Sequence, residues 1–209
     1  MNLENNKKYL INDKSLIIED SEGAGLERII IDRNSFFHGE DVLDYIKGVK
    51  KIQICGMALG FFITNKAFVN AVKNILKAGG EVEFLVAHPD SNIVEYRDKE
   101  EQWLGKLKEV INKTLDELVE IKNKYPDNAK IYLFRGEIHN TTILTEKVIM
   151  INPYIFGKRG WHSPAFIFSR DNSTIVSGFG EQLSEMKKYG EDNPGTFIEI
   201  NSKEDLESL

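Results

Sequence analysis

Between Lys51 and Ala87 the chain spells out one folding unit, and that unit sets the class of the whole. Lys51-Ile52-Gln53-Ile54-Cys55-Gly56 is an apolar, β-branched run of the kind that makes a buried strand. A glycine-bearing loop, Met57 to Phe62, follows it. Phe68, Val69, Val72, Ile75 and Leu76 then recur at helical spacing, which predicts a helix over 65–78 with one apolar stripe and Thr64 as its N-cap. Gly79-Gly80 ends it, because glycine adopts the left-handed conformation after a last turn without strain. Val82, Phe84, Leu85 and Val86 return as a strand. A strand, a helix and a strand joined this tightly predict a crossover with parallel strands. The chain is therefore expected to be α/β: a mixed, largely parallel sheet with helices on both faces.

The rest of the chain fits around that unit. Residues 1–26 are polar and irregular, and read as an arm or a small added hairpin. A strand is predicted at 27–31 and a helix over 40–49. Leu104, Leu107, Ile111, Leu118 and Ile121 predict one long helix over 98–124, broken by Tyr125-Pro126. A strand at 130–134 leads into two β-rich runs separated by Thr145-Glu146-Lys147, a hairpin signal. Further strands are expected at 165–169, 174–177 and 196–200, with a short helix over 181–189. Residues 27–200 thus read as one domain, with 201–209 as an acidic tail.

Composition excludes some functions. With 209 residues and 41% hydrophobic content, the chain can bury a real core. Its formal net charge of −6 disfavours nucleic acid as a partner, since such binders displace counterions with basic side chains. No apolar run approaches the roughly 20 residues that a spanning helix needs, and residues 1–8 have no apolar segment of the kind found in a secretory signal. One cysteine, Cys55, permits no intrachain disulfide, so a reducing cytoplasmic setting is expected. Cys55 reads as a small core residue. The four histidines have no close-spaced partners of the kind that structural zinc requires. No metal or cofactor is expected.

His139 is the leading candidate for chemistry. It opens the first hairpin strand, and strand alternation groups it with Thr141, Ile143 and Thr145. It reads either as a phosphate contact or nucleophile, or as a hydrogen-bonded strand histidine. Lys158, Arg159, His162 and Ser163 lie between Gly157 and Pro164. They read either as an anion-binding loop or as a solvated loop anchored by Trp161. His88, Asp90 and Ser91 follow a strand, where ligands gather in α/β sheets, although ordinary turn chemistry also explains them.

The order of these elements resembles one half of a phospholipase D-superfamily protein. The likeness rests on Ile52 to Leu59, on Gly79-Gly80 leading to Val82 through Ser91, on Lys130 to Phe134 running into His139, and on Ser163 to Phe168. The resemblance implies a motif of His-x-Lys, four residues, then Asp. Its His would form a phospho-enzyme intermediate, its Lys would hold phosphate oxygens, and two such halves would meet in one site. Here the three positions fall on His139, Thr141 and Glu146, so the lysine is lost. Lys147, Lys158 or Arg159 are the cations that could stand in. Losing one such stabiliser commonly costs about 10²–10³ in rate. The resemblance therefore implies a degenerate module that binds a phosphate-bearing small molecule or nucleotide near His139, Thr141 and the Lys158–Ser163 loop, as a homodimer. The alternatives are a phosphodiesterase or nuclease using His139 and Glu146, and a protein-interaction module with a vestigial pocket.

Overall fold

The computed structural model describes residues 8–12, 15–19, 25–31, 41–170 and 174–209. Strands β1 (Lys8–Asn12), β2 (Ser15–Glu19), β3 (Leu26–Ile30), β4 (Lys51–Gly56), β5 (Glu81–Ala87), β6 (Ala129–Phe134), β7 (Asn140–Thr145), β8 (Val148–Pro153), β9 (Ala165–Ser169) and β10 (Phe197–Ile200) form a ten-stranded sheet. Its order is β1-β2-β3-β9-β8-β7-β4-β5-β6-β10. The helices are α1 (Asp41–Ile46), α2 (Phe61–Thr64), α3 (Lys66–Lys77), α4 (Asn92–Glu100), α5 (Lys106–Lys124), α6 (Thr174–Asp192) and α7 (Lys203–Glu207).

The unit from β4 to β5 forms as its pattern requires. β4 and β5 pair in parallel, Ile52 beside Val82 and Ile54 beside Phe84. All five apolar residues of the α3 stripe are buried. Phe84, on β5, packs edge-on against Phe62, and Phe62 against Phe68. Full burial of each such ring is worth roughly 1.5–3 kcal/mol. Gly79 has φ +80°, and a Cβ on Gly80 would sit 2.6 Å from the Lys50 carbonyl oxygen. The pair is thus required twice, once for conformation and once for space. The N-cap is Asn65 rather than Thr64. The Asn65 carboxamide accepts from the Phe68 amide at 3.0 Å, and Thr64 closes the short helix α2 instead.

Helices cover both faces of the mixed sheet. α2, α3 and α5 pack on the face that carries Phe84, Ile143 and Ile167. α6 packs on the other, where Val176 and Phe179 meet Leu144, Ile149, Ile151 and Phe168. The balance of strand directions differs from the expectation. Among the described strands only β4–β5 and β5–β6 are parallel, and every other neighbouring pair is antiparallel. For β7 and β8 the cause is connection length, since the two-residue turn Glu146-Lys147 can only reverse a strand, whereas β3–β9, β4–β7 and β6–β10 join strands distant in sequence.

Three further elements depart from the sequence reading. The long helix is two helices, interrupted at residues 101–105, where Gln102 and Leu104 take φ of 56° and 58°. Residues 174–177 are helical, not extended, and α6 runs on to Asp192. The acidic end folds as α7, started by a reciprocal capping box between Ser202 and Asp205. Among the described residues no helix is long and apolar enough to cross a membrane.

Candidate functional site

His139 lies one residue before β7, in the connection from β6. Its main-chain carbonyl accepts from the Tyr154 amide at 2.9 Å, which fixes the backbone where β7 and β8 part. Its ring is free to reach outward: the side chain is 75% exposed and its Nε2 lies 3.3 Å from the Glu137 carboxylate. The ring stands at a groove of about 1020 Å³ between this connection and α6. Phe134, Phe179, Met186 and Tyr189 supply its apolar lining, and Glu137, Glu185, Asp192 and Lys188 its charges. Three carboxylates against one ammonium make the field there negative.

Thr141 has gone elsewhere. It is buried, and its hydroxyl shares a 3.0 Å hydrogen bond with the Tyr154 hydroxyl. The same Tyr154 oxygen accepts from the Met57 amide at 2.7 Å, just beyond the end of β4. Gly56 fits beneath because a Cβ there would stand 3.1 Å from Thr141 Oγ1 and 3.2 Å from the Tyr154 oxygen. Arg97 lies 5.1 Å over the Tyr154 ring and pairs with Glu100 and Glu101 at 2.8 and 2.6 Å. A guanidinium buried this way needs both partners, since an uncompensated buried charge is costly.

The Lys158–Ser163 loop packs against α4 and the turn after it, not against the groove. Arg159 lies 4.3 Å over Trp103 and 5.3 Å over Trp161, and it donates to the Glu101 and Gln102 carbonyls. The Lys158 carbonyl accepts from Arg97, and the Gly157 amide donates to Glu100. Ser163 is buried, and its hydroxyl has no hydrogen-bond partner among the described residues. His162 is exposed beside Trp161. Glu146 stands at the opposite end of β7, about 20 Å from His139 along the strand. Its carboxylate accepts from the Lys50 and Lys51 amides at 2.8 and 2.7 Å, which pins the hairpin tip to the start of β4. Lys147 is at that same tip and donates to the Lys47 carbonyl.

A second cavity, of about 800 Å³, opens between α4 and α5 beyond β5. Asp90 and Ser91 line it, as their position after a parallel strand suggests. His88 is fully buried beside it. The Asp90 amide donates to its Nδ1 at 3.1 Å, and the Arg135 guanidinium lies 2.8 Å from its Nε2. Burial, then the charge of Arg135, drive its pKa down to about 4, so the ring is neutral at pH 7. Asp90 is paired with Lys108, whose hydrogen bond lowers the Asp90 pKa. Cys55 is buried, which pushes its thiol up to about 12. A thiol held protonated in this way is core, not nucleophile.

Sequence reasoning missed the far wall of the groove. Phe179, Gln182, Met186 and Tyr189 repeat at three, four and three residues, which is a helical face. Starting the helix at 181 hides that period, and Gly178-Phe179-Gly180 reads as a break.

No protein-family model and no curated protein matches this sequence. Solved structures do. Phosphatidylserine synthase from Haemophilus influenzae Rd KW20 superposes with a TM-score of 0.56 at 13% identity, over 90% of this chain and 42% of that one. Nuc from Salmonella typhimurium, a phospholipase D family member, gives a TM-score of 0.46 at 12% identity, over 77% and 89%. TrmBL2, an archaeal chromatin protein with a novel mode of DNA binding, gives 0.46 at 10%, over 82% and 54%. The chain spans about half the length of the chromatin protein and less of the synthase. At such identities the likeness speaks of architecture alone: the chain shares the fold of the synthase.

Proposed function

We propose that this chain is a phospholipase D-like module that binds and does not cleave. Phosphoryl transfer needs cations and donors aimed at the equatorial phosphate oxygens. The observation that carries the reading is the fate of position 141. The side chain there is a buried threonine whose hydroxyl is engaged by Tyr154, while His139 faces Glu137 at the mouth of a groove rich in carboxylates. Arg159, a candidate replacement cation, is held between two tryptophans, and Lys147 is tied down at the far end of the hairpin.

The same arrangement weakens the expectation of a phosphate-bearing ligand at His139, because the groove's charge has the wrong sign for an anion. The binding surface in this reading is the groove itself, with His139 at its edge. Hydrolysis of bis(p-nitrophenyl) phosphate tests the first half of the reading. The wild-type protein and His139→Ala are expected to give the same background rate. A wild-type rate that drops by about 10²-fold or more in His139→Ala would establish a phosphodiesterase instead.

A further inference from the structure

The groove beside α6 has a shape, a sign of charge and an unexplained backbone feature. From Gly178 to Asp192 its helical wall is about 21 Å long, at 1.5 Å per residue. That length holds about four turns of a second helix, or about six residues of extended chain. Its floor is apolar: Phe134 is buried, Phe179 and Met186 are partly buried, and Tyr189 is 51% exposed. Its rim is acidic, with Glu137, Glu185 and Asp192 against Lys188.

The backbone feature is Gly178. Glycine inside a helix costs about 1 kcal/mol relative to alanine. At Gly190, further along the same helix, packing explains the glycine, since a Cβ would lie 2.2 Å from the Phe197 Cβ. At Gly178, which lines the groove, and at Gly180, which does not, nothing lies within 4 Å of where a Cβ would be. The space over Gly178, within the groove, is therefore open to the close approach of another chain.

Charge decides what that chain is. A second copy of this protein, docked groove to groove about a two-fold axis, would set the same carboxylates against themselves, and like charges across an interface cost affinity. A nucleic acid would present its phosphates to the acidic rim and be repelled. An amphipathic segment with Lys or Arg flanking apolar side chains satisfies both floor and rim, in the helix-in-groove mode of recognition. We propose that the groove docks a basic, amphipathic segment of a different protein. This rests on the reading that the chain acts by binding, and it names the class of partner.

The test is selection from a library of random twelve-residue peptides displayed on phage, against the full chain. Enriched peptides are expected to carry net positive charge with apolar anchors. Two variants map them: Gly178→Phe, which fills the groove in open space, and Glu185→Lys/Asp192→Lys, which reverses the rim at exposed positions. Both changes fall on surface that the fold does not need, and thermal melting checks each variant's fold. Each variant is expected to weaken the enriched peptides by at least tenfold. The wild-type affinity is expected to fall several-fold between 0.05 and 0.5 M NaCl. Enrichment of acidic peptides, no enrichment, or wild-type affinity retained by either variant overturns the proposal. A wild-type dimer that becomes monomeric in Gly178→Phe also overturns it, because the occupant is then a second copy. None of these outcomes affects the claim that the chain does not cleave; only His139-dependent turnover does that.

Discussion

His88 shows how one buried ring can make stability depend on pH. A neutral imidazole accepts at a single nitrogen, yet both of its nitrogens face donors, the Asp90 amide and the Arg135 guanidinium. Burial first, and then the charge of Arg135, oppose protonation more strongly than the Asp90 carboxylate favours it, and its pKa falls from 6.5 to about 4. Below about pH 6.5 the unfolded chain takes up a proton there that the folded chain refuses until about pH 4. The ring's contribution is therefore complete above pH 6.5 and is lost as pH falls toward 4, by up to roughly 3 kcal/mol. Urea unfolding of wild type and His88→Gln across that range checks this: the wild type should lose stability more steeply. Parallel pH profiles would contradict it. A second single-residue test concerns Tyr154. Tyr154→Phe removes the acceptor of the Met57 amide and the partner of Thr141, and unpaired buried groups cost about 1–3 kcal/mol. Denaturant midpoints should fall accordingly, with no gain or loss of phosphodiester hydrolysis.

At the scale of elements, two of the three glycines of α6 are opposites. Gly190→Ala forces a Cβ into Phe197 and should destabilise by about 1–3 kcal/mol. Gly178→Ala meets nothing within 4 Å and should stabilise by up to about 1 kcal/mol. Thermal melts of the two variants should shift in opposite directions. This helix also marks where sequence reading stopped. The stretch from β4 to β5 was legible because helical spacing and the Gly79-Gly80 stop agreed with each other. α6 was not, because Thr174, Ile175 and Val176 favour strands locally and Gly178 and Gly180 resemble a break. Packing of Val176 and Phe179 on the sheet overrides both preferences. The interruption between α4 and α5 was hidden for a different reason. Positive φ at Gln102 and Leu104 has no signature in those residue types; it is held by Asp98, which accepts from the Gly105 and Leu107 amides.

Across the whole molecule, the ends of the strands separate the roles. Glu146 and Lys147 fasten the hairpin tip at one end. His139, Tyr154 and the loop after β4 gather at the other. Sequence alone could name His139 as the leading candidate, and the resemblance could align Thr141 and Glu146 with it on a motif. Neither could supply the carboxylates of α6, Glu185 and Asp192, which arrive about fifty residues later and reach the groove only through the fold. A homodimer, expected from the resemblance, is compatible with this account if it leaves the groove open. The proposal that His139 carries out no phosphoryl transfer is tested most directly by a covalent trap. After incubation with excess bis(p-nitrophenyl) phosphate and a rapid quench at neutral pH, intact-mass spectrometry should find the protein's mass unchanged. A phosphoryl adduct that maps to His139, and is missing in His139→Ala, would contradict the account.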